Sequence, residues 1–140
     1  MRRDHQLISL TIGFAQDFSV AELTLLFMLN RLGPYFVSPV VAGLDKISDT
    51  EYRPVVCTYD SIGCADSGGH FQVAGTGSEL LYGVAETFFK PDMGPEELYE
   101  TISNCLLSAL DRDSLSGWGA YVYILTPDEL IVRALKTRQD

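Results

Sequence analysis

Apolar positions along this chain change period from one segment to the next, and the changes mark its elements. Ser19-Val20-Ala21-Glu22 reads as a capping box, with a hydroxyl placed to accept from a free helix N–H and a glutamate placed to reach back. Residues 23–32 then supply helix formers that are apolar on most faces, which predicts a helix sandwiched between layers. Gly33-Pro34 stops it. Residues 35–44, rich in Val, Tyr and Phe, predict a strand, although Pro39 is a poor fit for a central ladder position. A second strand is predicted over residues 53–60, and a short third one over residues 70–74 after the turn cluster Asp66-Ser67-Gly68-Gly69.

The period then becomes helical. Thr76-x-x-Glu79 reads as another capping box and opens a helix through about Phe89, closed by Pro91. Gly94-Pro95 starts the next helix, with proline where its missing N–H costs nothing. Leu98, Ile102, Cys105, Leu106 and Ala109 form one apolar stripe along it. Residues 111–119 break the pattern. Residues 121–125 and 130–135 read as strands joined by the turn Thr126-Pro127-Asp128-Glu129. A helix, three strands, two helices and a hairpin give an α+β domain with helices layered on antiparallel sheets.

Composition narrows the partners. The chain has 140 residues, one domain's worth, with 46% hydrophobic and 21% charged residues. Nineteen acids against 10 bases give a net charge of −9, which repels phosphate backbones, so nucleic acid and anionic membrane are excluded as expected partners. No apolar run reaches the roughly 20 residues that a spanning helix needs. Asp4 and His5 interrupt the basic start Met1-Arg2-Arg3, and the following apolar run is short, so a cleaved signal is not expected. Cys57, Cys64 and Cys105 are odd in number and lack metal-ligand spacing, which points to reduced thiols.

Candidate chemistry is sparse. Gly75-Thr76-Gly77-Ser78 lies between a predicted strand and a helix but matches no nucleotide-binding fingerprint, so a tight capped turn is the plainer reading. Cys64 and His70 are too few for a zinc site. Cys57 and Cys105 read as buried, inert thiols. Glu96 and Glu97 read as first-turn charges favoured by the helix dipole. The segment Asp111-Arg112-Asp113-Ser114-Leu115-Ser116-Gly117-Trp118-Gly119 is the most informative. It joins an amphipathic helix to a strand, yet packing alone asks for neither its acids nor its serines.

Arg112-Asp113-x-x-Ser116-Gly117 resembles the RDxxSG segment of proteasome beta-type subunits, and Gly75-Thr76-Gly77-Ser78 resembles their strand-to-helix turn. Gly33-Pro34-Tyr35, Pro39-Val40-Val41-Ala42-Gly43-Leu44-Asp45, Asp60-Ser61-Ile62-Gly63-Cys64 and the ending Arg133-Ala134-Leu135-Lys136-Thr137-Arg138-Gln139-Asp140 look like the non-catalytic type-3 branch of that family. The resemblance spans residues 18–140; residues 1–17 carry none and are left unassigned. It implies the N-terminal-nucleophile hydrolase fold, an α-β-β-α sandwich, incomplete at its N-terminus.

Active members of that family attack peptides with a processed N-terminal threonine, whose own amine is the base, aided by an early acid and a lysine. The present chain begins Met1-Arg2-Arg3, with no processable threonine there. The resemblance therefore implies a non-catalytic, structural member of the 20S core, in a beta ring with alpha-type and beta-type neighbours, serving ubiquitin-dependent degradation in cytoplasm and nucleus. The alternatives are a threonine-type peptidase subunit and a truncated form that does not fold. Thr76, Asp113, Ser116 and Gly117 are then remnants of the nucleophile's support. No cofactor is expected as a requirement. The resemblance further implies a structural Mg²⁺ or Ca²⁺ on the backbone carbonyls of Leu110, Asp113 and Ser116, with Asp140 as an additional anionic ligand. The implied loss of early strands leaves the final hairpin as an open apolar edge.

Overall fold

The computed structural model describes the backbone of residues 7–9 and all of residues 36–139. The first predicted helix, residues 23–32, and its capping box lie outside the described residues, as do the boundary at residue 18 and Asp140. The elements are β1 (Leu7–Ser9), β2 (Val40–Lys46), β3 (Tyr52–Tyr59), β4 (Ala65–Asp66), α1 (Ser78–Phe88), α2 (Pro95–Leu110), β5 (Ala120–Leu125) and β6 (Leu130–Leu135). They form two antiparallel three-stranded sheets, β1-β5-β6 and β2-β3-β4, with two adjacent helices. The mixed helix and strand content is as expected.

The centre of packing lies between α2 and the β5–β6 hairpin. Val122 and Ile124 sit two apart on β5 and therefore share one face. Both are buried, with Leu98, Tyr99, Ile102, Ile131 and Leu135 packed against them. The predicted stripe of α2 turns inward, burying Cys105, Leu106 and Ala109. Each fully buried aliphatic side chain contributes about 1.5–3 kcal/mol. Gly94 is the N-cap and Pro95 the first helical residue of α2, where a missing N–H is harmless. The hairpin turn closes as read: Thr126 N–H donates to the Glu129 carbonyl at 2.9 Å, and the Glu129 N–H donates back to the Thr126 hydroxyl at 3.1 Å.

Four expectations are corrected. β2 begins at Val40, five residues later than predicted from residue 35, and ends at Lys46. Pro39 has no N–H to give, and its carbonyl accepts from Tyr59 N–H at 3.1 Å just before the ladder starts at Val40 and Thr58. The third strand is not residues 70–74 but the two-residue β4. In a regular strand, successive side chains point to opposite faces. Here both His70 and Phe71 turn onto the Phe89 ring, at 5.8 and 5.7 Å, so the backbone there cannot run as a pleated strand. The capping box at Thr76 does not form: the N-cap is Gly77 and no side chain caps α1. Finally, β5 is not an open edge, because Leu7, Ile8 and Ser9 pair with Leu125, Ile124 and Tyr123. Among the described residues the edges of that sheet are β1 and β6.

Candidate functional site at the end of the second helix

α2 ends at Leu110 with Asp111 as its C-cap, and the chain turns back through two left-handed positions, Trp118 at φ 64° and Gly119 at φ 151°. The turn brings Asp113 and Ser116 beside the strand-to-helix turn at Thr76. Another left-handed residue, Gly75 at φ 103°, shapes that turn, a conformation that glycine adopts without strain. The three side chains named from the sequence thus meet, although 37 and 40 residues separate Thr76 from the other two.

Asp113 organises the cluster. The Thr76 hydroxyl donates to its Oδ2 at 2.5 Å and the Ser116 hydroxyl to the same oxygen at 2.8 Å. Leu115 N–H donates to Oδ1 at 3.1 Å. The two hydroxyl oxygens lie 3.4 Å apart. These donors hold the Asp113 carboxyl below its ordinary pKa, the Thr76 hydroxyl most strongly, then Ser116, then the Leu115 amide. None of the ion pairs among the described residues involves Asp113.

The chemistry follows from these donors. A carboxylate with a lowered pKa is a poor general base, so it does little to activate the Thr76 or Ser116 hydroxyl. Both hydroxyls spend their protons on Asp113 and keep lone pairs, so the cluster offers acceptors to a cation or a protonated amine. Gly77 lies close by, since a Cβ placed there would stand 3.4 Å from Asp113 Oδ2. At Gly117 a Cβ would meet nothing within 4 Å, so packing makes no demand for glycine there.

The carbonyls of Leu110, Asp113 and Ser116 lie at or beyond the helix C-terminus, where free oxygens and the negative dipole end suit a hard cation. The Asp113 carbonyl already accepts Ser116 N–H at 3.4 Å, and the guanidinium of Arg138 donates to the neighbouring Asp111 carbonyl at 3.0 Å. Part of that negative helix end is therefore met by a side-chain cation. Among the described residues, no three His, Cys, Asp or Glu side chains converge as for a metal. Cys64 is exposed, and its backbone N–H donates to Asp60 Oδ1 at 2.8 Å. Cys57 is buried with its thiol 3.4 Å from the Tyr59 hydroxyl, and burial pushes the Cys105 thiol up.

Sequence reasoning missed one constellation. Glu96 is not simply a dipole charge. It takes a two-pronged bond from Arg133 of β6, at 3.0 and 2.9 Å, while that guanidinium sits 4.5 Å above the Tyr99 ring. Alternation along β6, which puts Arg133 on the face of Ile131 and Leu135, was the available signal.

A conserved-family model describing proteasome subunits matches residues 2–125, and the chain belongs to that family. Its relatives are more specific. It is 53% identical over 111 residues to the proteasome subunit beta type-3 of Picea mariana, covering 79% of this chain and 52% of that protein. It is 52% identical over the same length to the Saccharomyces cerevisiae beta type-3 subunit, covering 79% and 53%. The Oryza sativa beta type-3 subunit matches at 48% over 125 residues, covering 89% and 59%. The chain thus spans a little over half the length of these curated relatives.

Proposed function

We propose that this chain is a non-catalytic, structural member of a 20S proteasome core, built into a beta ring against alpha-type and beta-type neighbours. The observation that carries the reading is the Thr76–Asp113–Ser116 cluster in a chain related to beta type-3 subunits. The cluster fixes the α2–β5 loop against the start of α1 and holds a weak base beside two hydroxyls whose protons are already committed. That arrangement supports a loop and does not drive proton abstraction. The chain's one Gly-Thr pair, Gly75-Thr76, lies inside this turn, with the threonine bound to Asp113.

On this reading the two sheets and two helices are portions of the N-terminal-nucleophile α-β-β-α sandwich. A structural Mg²⁺ or Ca²⁺ on the Leu110, Asp113 and Ser116 carbonyls belongs to the same reading, as does residence in cytoplasm and nucleus. The free thiols of all three cysteines suit a reducing compartment. Among the described residues no helix is long and apolar enough to cross a membrane.

The test is incorporation. A tagged copy expressed in cells is expected to co-fractionate with 20S particles and to bring down alpha-type and beta-type subunits. Recovery only as free chain or aggregate would sink the structural reading. The purified chain is expected to leave fluorogenic peptides intact, and turnover with covalent labelling of a threonine would sink the non-catalytic one.

A further inference from the structure

The β2–β3 hairpin turns through Ile47-Ser48-Asp49-Thr50-Glu51, all of them exposed. Ile47 and Ser48 N–H both donate to the Glu51 carbonyl, at 2.9 and 3.2 Å, and Glu51 N–H donates back to the Ser48 carbonyl at 3.4 Å. The turn presents Ser48 and the two acids that follow it on one short loop. Charge on that loop is uneven. Lys46 pairs with Asp49 at 2.8 Å and Arg53 with Asp45 at 3.5 Å, while Glu51 enters no ion pair among the described residues.

A serine with one carboxylate directly after it and another three residues on suits a phosphotransferase with a basic substrate groove, because kinases select hydroxyls by the charge pattern around them. An acid three residues on also follows Thr76, Ser108, Thr126 and Thr137, as well as Ser19, which lies outside the described residues. The structure separates them. Thr76 donates its hydroxyl to Asp113, Ser108 to the Asn104 carbonyl, Thr126 to the Glu129 carbonyl and Thr137 to the Arg138 carbonyl. A hydroxyl must leave such a partner before it can attack, and each bond is worth about 0.5–1.5 kcal/mol. The Ser48 hydroxyl has no partner among the described residues. Ser48 is also the one of these serines and threonines with an acid, Asp49, directly after it.

We propose that Ser48 is a phosphorylation site for a serine/threonine kinase that selects acidic residues after the acceptor. Ser48 Oγ attacks the γ-phosphorus of the ATP that the kinase holds. The Oγ–P bond forms, the bridging bond to the β-phosphate breaks and ADP leaves, while the hydroxyl proton passes to the kinase's catalytic aspartate. The phosphate brings about −1.5 to −2 charges to a loop that already carries Asp49 and Glu51. Lys46, two residues before Ser48, is then shared between Asp49 and the phosphate. The hairpin tip becomes strongly anionic with no change required in the core. The inference concerns this hairpin alone, so it stands or falls independently of the proposed function.

The test uses the purified 140-residue chain with Mg-ATP and a purified acid-directed serine/threonine kinase. One phosphoryl group per chain is expected, placed on Ser48 by fragmentation mass spectrometry, and none on that position in Ser48→Ala. Glu51→Gln is expected to lower kcat/KM for the transfer about tenfold or more, because a charged contact to the kinase is lost. Glutamine keeps the backbone groups through which Glu51 closes the turn, so this variant tests charge and not the loop's shape. Circular dichroism matching the unsubstituted chain checks that both variants fold. A base-directed kinase is expected to leave Ser48 unmodified. No transfer, transfer to Thr50, Thr76 or Thr126 in place of Ser48, an unchanged rate for Glu51→Gln, or equal modification by the base-directed kinase would each overturn the proposal. So would transfer that begins only once the chain is unfolded, since the folded hairpin would then not present the hydroxyl.

Discussion

The β5–β6 hairpin and the segment at residues 71–74 have similar strand-forming sequences and opposite fates. β5 has a ladder partner on each side, β1 and β6, and α2 covers its Val122–Ile124 face. Residues 71–74 have no ladder partner among the described residues and border an open groove. What separates them is not propensity but company. Strand preference measures how well a side chain fits a pleated, half-buried surface, and without neighbours there is no such surface to fit.

The sharpest way to break that comparison is to truncate a side chain in each region. Ile124→Ala is expected to cost about 2–5 kcal/mol, because α2 and β6 cannot collapse into the space left behind. Val73→Ala is expected to cost about 1 kcal/mol or less, as at sites away from a packed core. Urea unfolding of both variants, with the slope checked for constancy, measures the difference. Equal losses would mean that residues 71–74 are packed as tightly as the hairpin.

Trp118 tests the loop that links the helix-covered sheet to the Asp113 cluster. It is a large, 78% exposed residue at φ 64°, where L-residues other than glycine are strained. Trp118→Val is expected to destabilise by about 1–2 kcal/mol, because β-branching aggravates that strain. Trp118→Gly is expected to stay within about 1 kcal/mol of the parent, since relief of strain offsets added freedom in the unfolded chain. If Trp118→Val is as stable as Trp118→Gly, the loop does not hold this geometry in solution.

A pH titration sharpens the role of Asp113. Its folded pKa lies below the ordinary carboxylate value of 3.8, so the stability it lends is fully present above that value and is lost as pH falls through the lower folded value. The parent is therefore expected to lose more stability than Asp113→Asn between neutral and strongly acidic pH. Thermal midpoints across that range measure it, and parallel curves would show that the Thr76 and Ser116 donors do not hold the anion.

The smallest effect belongs to the surface clasp that fastens β6 to α2. A double-mutant cycle on Glu96→Gln and Arg133→Gln is expected to show a favourable coupling at low salt that fades at about 1 M salt, where the screening length is about 3 Å. A coupling unchanged by salt would assign the clasp to hydrogen bonding and to packing on Tyr99 instead.

The sequence by itself determined the elements whose signals are local. Gly94-Pro95 starts α2 because proline suits the first turn, and the stripe through Cys105, Leu106 and Ala109 turned inward because helical period alone puts those residues on one face. The four-residue turn and the alternation that buries Val122 and Ile124 were legible for the same reason. The motif Arg112-Asp113-x-x-Ser116-Gly117 singled out the loop whose Asp113 and Ser116 side chains meet Thr76. Only the tertiary structure decided what depended on neighbours distant in sequence. Thr76 could cap its own helix or reach Asp113, and the α2–β5 turn brought the carboxylate to it. Residues 70–74 could have made a strand, but His70 and Phe71 both found the Phe89 ring. Leu7–Ser9, in a stretch with no assigned role, became the ladder partner of β5. A strand's hydrogen bonds lie outside its own segment, so its sequence fixes its readiness to pair and the rest of the chain supplies the partner.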